Sequence, residues 1–229
     1  MTYEVYIGDR TFSSWSLRGW LMLEKFGLPY QTRFVGLYSG TMAADLAHIA
    51  PARTVPAMTT PQGFVLTDSL AMAETLVENH PNVALYPRDP AARALARSIC
   101  AEMHSGFSAL RTECPNMIAY AWDGFVPSEA VLADLARIDD LWALARARHG
   151  TDSPWLFGDY SLADVFYAPV ALRITTYGLP VSPAAQAYVD AHLRDPAFLN
   201  WRRLALEETY DPWPYPLDLP RKPWPVNVS

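Results

Sequence analysis

The hydrophobic pattern of this chain changes character once, at "PNVALYPRDP" (81–90), and that change limits the fold more than any other feature. Before it, strand-like and helix-like stretches alternate. "YEVYIG" (3–8) is aromatic and β-branched, which suits a strand. From Ser14 to Phe26 apolar residues recur at helical spacing, Leu17, Trp20, Leu21 and Leu23 among them, and Gly27 and Pro29 end the run. "YQTRFVGL" (30–37) reads as a second strand and 41–50 as a helix ended by Pro51. "VPAMTT" (55–60) and "GFVLT" (63–67) form a hairpin across "PQG", and 68–80 is a helix.

After residue 90 only helical periodicity remains, over 91–114, 127–150, part of 154–178, 182–195 and 196–210. The sequence therefore predicts an α/β unit of order β-α-β-α-β-β-α over 1–80, a linker over 81–90 and an all-α unit over 91–210. Residues 211–229 are too rich in proline for a helix and are expected as an extended tail.

Composition excludes several classes of function. A net charge of −6 opposes a broad nucleic-acid surface, which needs a basic field. No apolar run approaches the about 18 residues of a membrane span. "MTYEVYIGDR" lacks the basic start and apolar middle of a secretion signal, so a cytoplasmic protein is expected. Cys100 and Cys114 form no Cys-x-x-Cys pair, and the five histidines are scattered, so no metal site is expected. Both cysteines read as small core residues.

Three local signals stand in a particular order: "TVP" (54–56) at a strand start, "TDSLAM" (67–72) opening a helix, and "GDYSLADV" (158–165). Together they make the chain similar to the cytosolic glutathione transferases over nearly its whole length, the tail excepted. The resemblance implies a thioredoxin-like N-terminal domain that binds glutathione, followed by a helical domain that shapes the pocket for a second substrate. It implies a cis bond before Pro56, with the backbone of Val55 pairing with the cysteinyl amide of glutathione. It places the γ-glutamyl carboxylate on Ser69 and the N-terminus of its helix, where free N–H groups and the dipole favour an anion. Asp68 then holds the γ-glutamyl ammonium. Asp and Ser are also good N-caps without any ligand. Many family members carry a basic residue just before the Val-Pro pair to meet the glycyl carboxylate. Here Thr54 stands there and Arg53 lies one place earlier. "SLAD" (161–164) is a capping-box variant, so Ser161 and Asp164 read as folding residues.

The stretch "TFSSWSLRGW" (11–20) carries the expected chemistry. A free thiol has a pKa of about 8.5, and the thiolate is the nucleophile. Lowering that pKa by about two units takes ~2.7 kcal/mol of preference for the charged form. A hydroxyl aimed at sulfur supplies part, and a helix N-terminus adds about 0.3–1 kcal/mol. "SSWSLR" resembles the zeta-class and tau-class serine motifs, which put the thiol-facing hydroxyl on Ser13, five before Arg18. A delta-type register points to Ser14 instead. Ser16 shores up the turn. Trp15 replaces the zeta-class cysteine, and Trp20 stands where a second arginine is common.

For the second substrate the resemblance points to Trp15 and to Met103, His104, Phe107 and Arg111 on the first helix of the helical domain. The expected activity is that of a homodimeric, serine-type glutathione transferase acting on a small electrophile. One alternative is a glutathione-dependent cis–trans isomerase of maleylacetoacetate type, with Arg111 and Arg173 as partners for a dicarboxylate. Another is a non-catalytic binding protein on the same scaffold, since fold does not fix function.

Overall fold

The computed structural model describes residues 2–224. The chain divides into two compact units: residues up to Val83 together with Ala197–Leu217, and Ala84–Pro196 together with the residues from Asp218.

The first unit contains β1 (Tyr3–Ile7), α1 (Ser14–Glu24), β2 (Tyr30–Phe34), α2 (Met42–Leu46), β3 (Ala57–Thr59), β4 (Val65–Leu66) and α3 (Ser69–Asn79). This is the expected β-α-β-α-β-β-α order, with shorter elements. One mixed sheet runs β2-β1-β3-β4, with β1 parallel to β2 and antiparallel to β3. Side chains alternate across β1. Tyr6 joins a buried cluster with Val35, Leu46, Ile49 and Ala57 on one side of the sheet. Val5 faces α1 on the other. There a Cβ on Gly19 would lie 2.6 Å from Cβ of Pro56, so only glycine lets this helix approach so closely. The helix expected over 41–50 is α2 plus a 3-10 turn at Ala47–Ile49. The tighter turn eclipses positions three apart and brings Leu46 and Ile49 to the same core.

The second unit contains α4 (Pro90–Ser105), α5 (Ser108–Glu113), β5 (Ala121–Trp122), α6 (Glu129–His149), α7 (Leu162–Tyr177) and α8 (Pro183–Arg194). Of the sixteen residues of α7 all but Thr175 are buried, so this helix is the unit's centre. The single helix expected over 91–114 is broken. The Gly106 N–H closes α4 on the carbonyl of Glu102 at 2.8 Å, and a Cβ on Gly106 would lie as close to that oxygen. Phe107 then takes left-handed backbone (φ 55°) to start α5. Met103 and Phe107 are therefore not neighbours one turn apart on a continuous helix.

Two further differences concern the C-terminal part. The last helix, α9 (Pro196–Glu207), is expected with the helical domain, yet from Ala197 it packs within the first unit. Trp201 is the reason. It is fully buried, its indole N–H donates to the carbonyl of Arg10 at 3.1 Å, and its ring meets Trp20 at 5.2 Å. The proline-rich segment is not a bare extended tail either. Its first residues pack on the first unit, and β6 (Arg221–Lys222) pairs with β5 in the second. Tail residues 225–229 lie outside the described residues.

Candidate active site

The end of β1 and the start of α1 bring the polar serines together. Ser13 and Ser16 are both buried. The Ser13 hydroxyl donates to Ser16 Oγ at 2.7 Å, and Ser16 Oγ accepts the Gly8 N–H at 2.9 Å. Ser13 occupies the N-cap position of α1, but its side chain makes no capping hydrogen bond. Ser14 is half-buried at the first position of the helix.

These residues border a cleft of about 170 Å³. Phe12, Ser13, Ser14 and Trp15 form one wall. Leu37, Tyr38 and Met42, from the segment after β2, form another. Thr54 and Val55 close a third side, and Tyr215 comes from the C-terminal segment. The Val55–Pro56 bond is cis, as the resemblance implies.

Of the other expected residues, Arg53 is exposed and does not line the cleft. Asp68 caps α3, accepting the N–H groups of Leu70 at 2.8 Å and Ala71 at 3.1 Å. Ser69 is buried, and its hydroxyl accepts from the guanidinium of Arg18 at 3.5 Å. Arg18 is only 3% exposed, and its guanidinium carbon lies 4.4 Å from the ring centre of Trp15. A buried cation thus sits between the cleft wall and the start of α3. Arg18 enters the sequence reading only as a register mark.

Met103, His104, Phe107 and Arg111 belong to the second unit. Met103 and Phe107 are buried and His104 is half-buried. The Arg111 guanidinium donates to the carbonyls of His104 and Gly106, both at 3.3 Å, bridging the break after α4. Arg173 is buried and donates to the carbonyls of Cys114 at 2.9 Å and Pro169 at 3.3 Å.

Sequence patterns missed the contribution of the C-terminal segment. Asp9, fully buried, accepts the N–H groups of Tyr210 at 2.8 Å and Asp211 at 3.1 Å. Asp211 in turn accepts the N–H groups of Leu37, Tyr38 and Ser39, the closest at 2.6 Å. The Tyr210 hydroxyl reaches the carbonyl of Val35 at 3.1 Å. Trp213 meets Phe12 edge-on, and the Tyr38 and Tyr215 hydroxyls lie 2.6 Å apart. Burial and the neighbouring Tyr215 push the Tyr38 hydroxyl up to about 12, so it stays protonated at neutral pH. The one sequence signal was the interleaving of Asp, Trp and Tyr with the prolines of "DPWPYP".

Among the described residues, no group of three or more His, Cys, Asp or Glu side chains could hold a metal ion. No helix among them is long and apolar enough to cross a membrane.

The family model for the glutathione S-transferase N-terminal domain matches residues 12–79, which hold most of the cleft wall. The chain is 30% identical over 178 residues to a probable maleylacetoacetate isomerase of Caenorhabditis elegans, covering 76% of this chain and 79% of that protein. It is 28% identical over 208 residues to the maleylacetoacetate isomerase of Pseudomonas aeruginosa, covering 85% and 93%. A glutathione transferase homologue from Burkholderia gl BGR1, solved with bound glutathione, has the same fold, with a TM-score of 0.69 at 24% identity over 91% of this chain and all of that one. Human glutathione-S-transferase T1-1 aligns with a TM-score of 0.62 at 23% identity, over 90% of each chain. The 30% identity spanning more than two thirds of its relative, together with the family model on the cleft-bearing unit, assigns the chain to the glutathione S-transferase family.

Proposed function

We propose that this chain is a glutathione-dependent enzyme whose first-unit cleft binds glutathione, and that it catalyses cis–trans isomerisation of a maleylacetoacetate-type substrate. The observation that carries the first half is Ser13, which lines the cleft and whose hydroxyl is not spent on capping its helix. The names of the curated relatives favour the second half, against the net transfer that the motif alone suggests.

The donors present fit the tripeptide. Ser69, with the buried Arg18 behind it, suits the γ-glutamyl carboxylate, and α3 points its positive end the same way. Asp68, which caps α3, supplies the carboxylate for the ammonium. The backbone of Val55 suits the cysteinyl amide. Bound glutathione supplies a thiolate that adds to an electrophilic carbon and, in isomerisation, leaves again after the carbon–carbon bond has rotated. Ser13 holds that charge. With Ser16 anchored by the Gly8 N–H, the hydroxyl pair turns so that Ser16 donates to Ser13 and Ser13 donates to sulfur. Ser14 is the second candidate for that role.

A second reading, net transfer to a small electrophile, is favoured by the arginines. A dicarboxylate substrate calls for cations, and the guanidiniums of Arg111 and Arg173 already donate to backbone carbonyls. Stoichiometry separates the two. Maleylacetoacetate with trace glutathione should turn over many times without loss of thiol. A transferase would consume one thiol per product with 1-chloro-2,4-dinitrobenzene. If neither reaction proceeds and the bound thiol titrates near its free value of about 8.5, the chain is a binder on this scaffold. A homodimer, usual in the family, is the assembly we infer, and sedimentation equilibrium tests it.

A further inference from the structure

Glutathione held in this way still has one charge without a partner. The glycyl carboxylate lies one residue beyond the cysteinyl unit, a reach of about 3.5 Å. It must therefore fall within or at the mouth of the same cleft. Among the described residues that line this cleft none is positively charged, and the nearest basic residue in sequence, Arg53, is exposed and absent from its walls. The backbone N–H groups of Leu37, Tyr38 and Ser39 would make a natural anion seat, but the Asp211 carboxylate already holds all three. What remains beside Thr54 is the pair of tyrosine hydroxyls.

We propose that Tyr38 and Tyr215 together seat the glycyl carboxylate of glutathione, with Tyr215 delivered to the cleft by the C-terminal segment. The inference rests on the cleft being the glutathione site. Two hydroxyls 2.6 Å apart share one proton between them and leave the second to donate elsewhere. That second proton is the one offered to the carboxylate, and the bond within the pair strengthens it. The pair is held in place from both sides. Asp9 fixes the N–H groups of Tyr210 and Asp211, Asp211 fixes the loop carrying Tyr38, and Trp213 packs on Phe12. The tail is thereby a built wall of the site. Tyr38 and Tyr215 are 45% and 37% exposed, so their contribution is that of a partly solvated hydrogen bond to an anion.

The test is calorimetric binding, with no turnover involved. Three ligands are compared: glutathione, its glycyl monoethyl ester, and γ-glutamylcysteine, which lacks the glycine. The wild-type protein should prefer glutathione over both by about tenfold. Tyr38→Phe and Tyr215→Phe should each weaken glutathione about five- to tenfold, leave the ester and the dipeptide unchanged, and so erase the preference. Asp211→Ala, which releases the latch, should do the same. If both phenylalanine variants keep the full preference, the seat is overturned while the glutathione reading stands. The seat is equally overturned if Asp211→Ala loses the preference and Tyr215→Phe does not, because the tail then acts only as a wall. If the wild-type protein binds none of the three, the glutathione reading falls and this inference with it.

Discussion

Among the described residues four helices have a serine at the N-cap, and Ser13 of the first unit and Ser161 of the second are used most differently. Ser161 starts α7. Its hydroxyl accepts the Ala163 N–H at 3.3 Å, and Asp164 reaches back to the Ser161 N–H at 2.8 Å. The other oxygen of Asp164 takes the Leu156 N–H at 3.2 Å and the Tyr188 hydroxyl at 2.8 Å. The carboxylate is wholly buried and its bonding capacity is spent on the fold. Ser13 starts α1 with no acid in the first turn and no side-chain cap, and its hydroxyl points to another hydroxyl beside a cleft. A saturated cap holds structure. A serine left out of the capping scheme, on the wall of a cleft, has a rotatable proton, donated here to Ser16 Oγ.

The sharpest way to break that comparison is to exchange the costs. Asp164→Ala should be the most damaging change, because three protein donors besides the Ser161 hydroxyl lose their acceptor in a dry interior. At about 1–3 kcal/mol for each orphaned group, with partial relaxation, the loss should reach about 3–5 kcal/mol in a denaturant titration. A loss below about 1 kcal/mol would show the network to be dispensable. Acidity adds a second signature. Burial holds the Asp164 carboxyl above its ordinary value of 3.8, ahead of the opposing hydrogen bonds from Ser161, Leu156 and Tyr188. The folded state therefore favours the protonated form. The stabilisation this gives is full below 3.8 and is lost as pH rises through the folded value. Asp164→Asn cannot ionise and should flatten that part of the stability–pH curve.

Ser13→Ala should invert the pattern, with a stability change of about 1 kcal/mol or less and a large change in chemistry. Losing one hydrogen bond to a charged group is worth ~1.5–3 kcal/mol, so the thiol pKa in the glutathione complex should rise by about one to two units. The rate at pH 6.5 should fall about ten- to a hundredfold and recover largely at high pH, where the thiol ionises unaided. Ser14→Ala should do less. A pH–rate profile of both variants decides the register. A shift with Ser14→Ala alone moves the role by one residue, and no shift with either removes the serine mechanism.

The same contrast explains how much could be read from the sequence. The order of elements in the first unit was legible because apolar spacing and turn residues change together there. The places of Ser13 and Val55 on the cleft wall and of Ser69 at the start of α3 were legible because each lies in a short contiguous motif. The break at Gly106 was not, since helical periodicity runs on from Met103 through Phe107 to Arg111 while the backbone reverses at Phe107. Arg111 then serves carbonyls across that break. Tyr215 was invisible because its partner Tyr38 is 177 residues away, and no local pattern encodes a contact of that span. For the same reason periodicity identified α9 as a helix but chain order put it in the wrong unit, since its place is decided by Trp201 meeting Trp20 and Arg10.

The smallest expected effect sharpens the comparison from the other side. If the spare hydroxyl at α1 carries the chemistry, the protein's own thiols should carry none of it. Cys100 and Cys114 are both fully buried in the second unit, and burial pushes the Cys114 thiol up to about 12. The nearby Arg173 opposes that shift without cancelling it. At pH 8 about one Cys114 in ten thousand is then a thiolate, and that fraction has no access to solvent. A thiol-specific chromogenic reagent at pH 8 should titrate no cysteine in the native protein and two after denaturation. Alkylating reagent applied to the native protein and then removed should leave glutathione affinity and turnover at their untreated values. The double variant Cys100→Ala/Cys114→Ala should lose about 1–2 kcal/mol of stability through the small cavities it leaves, and nothing in rate. A folded double variant without activity would transfer the chemistry from the serine to a thiol, and the distinction between the two helix starts would lose its functional meaning.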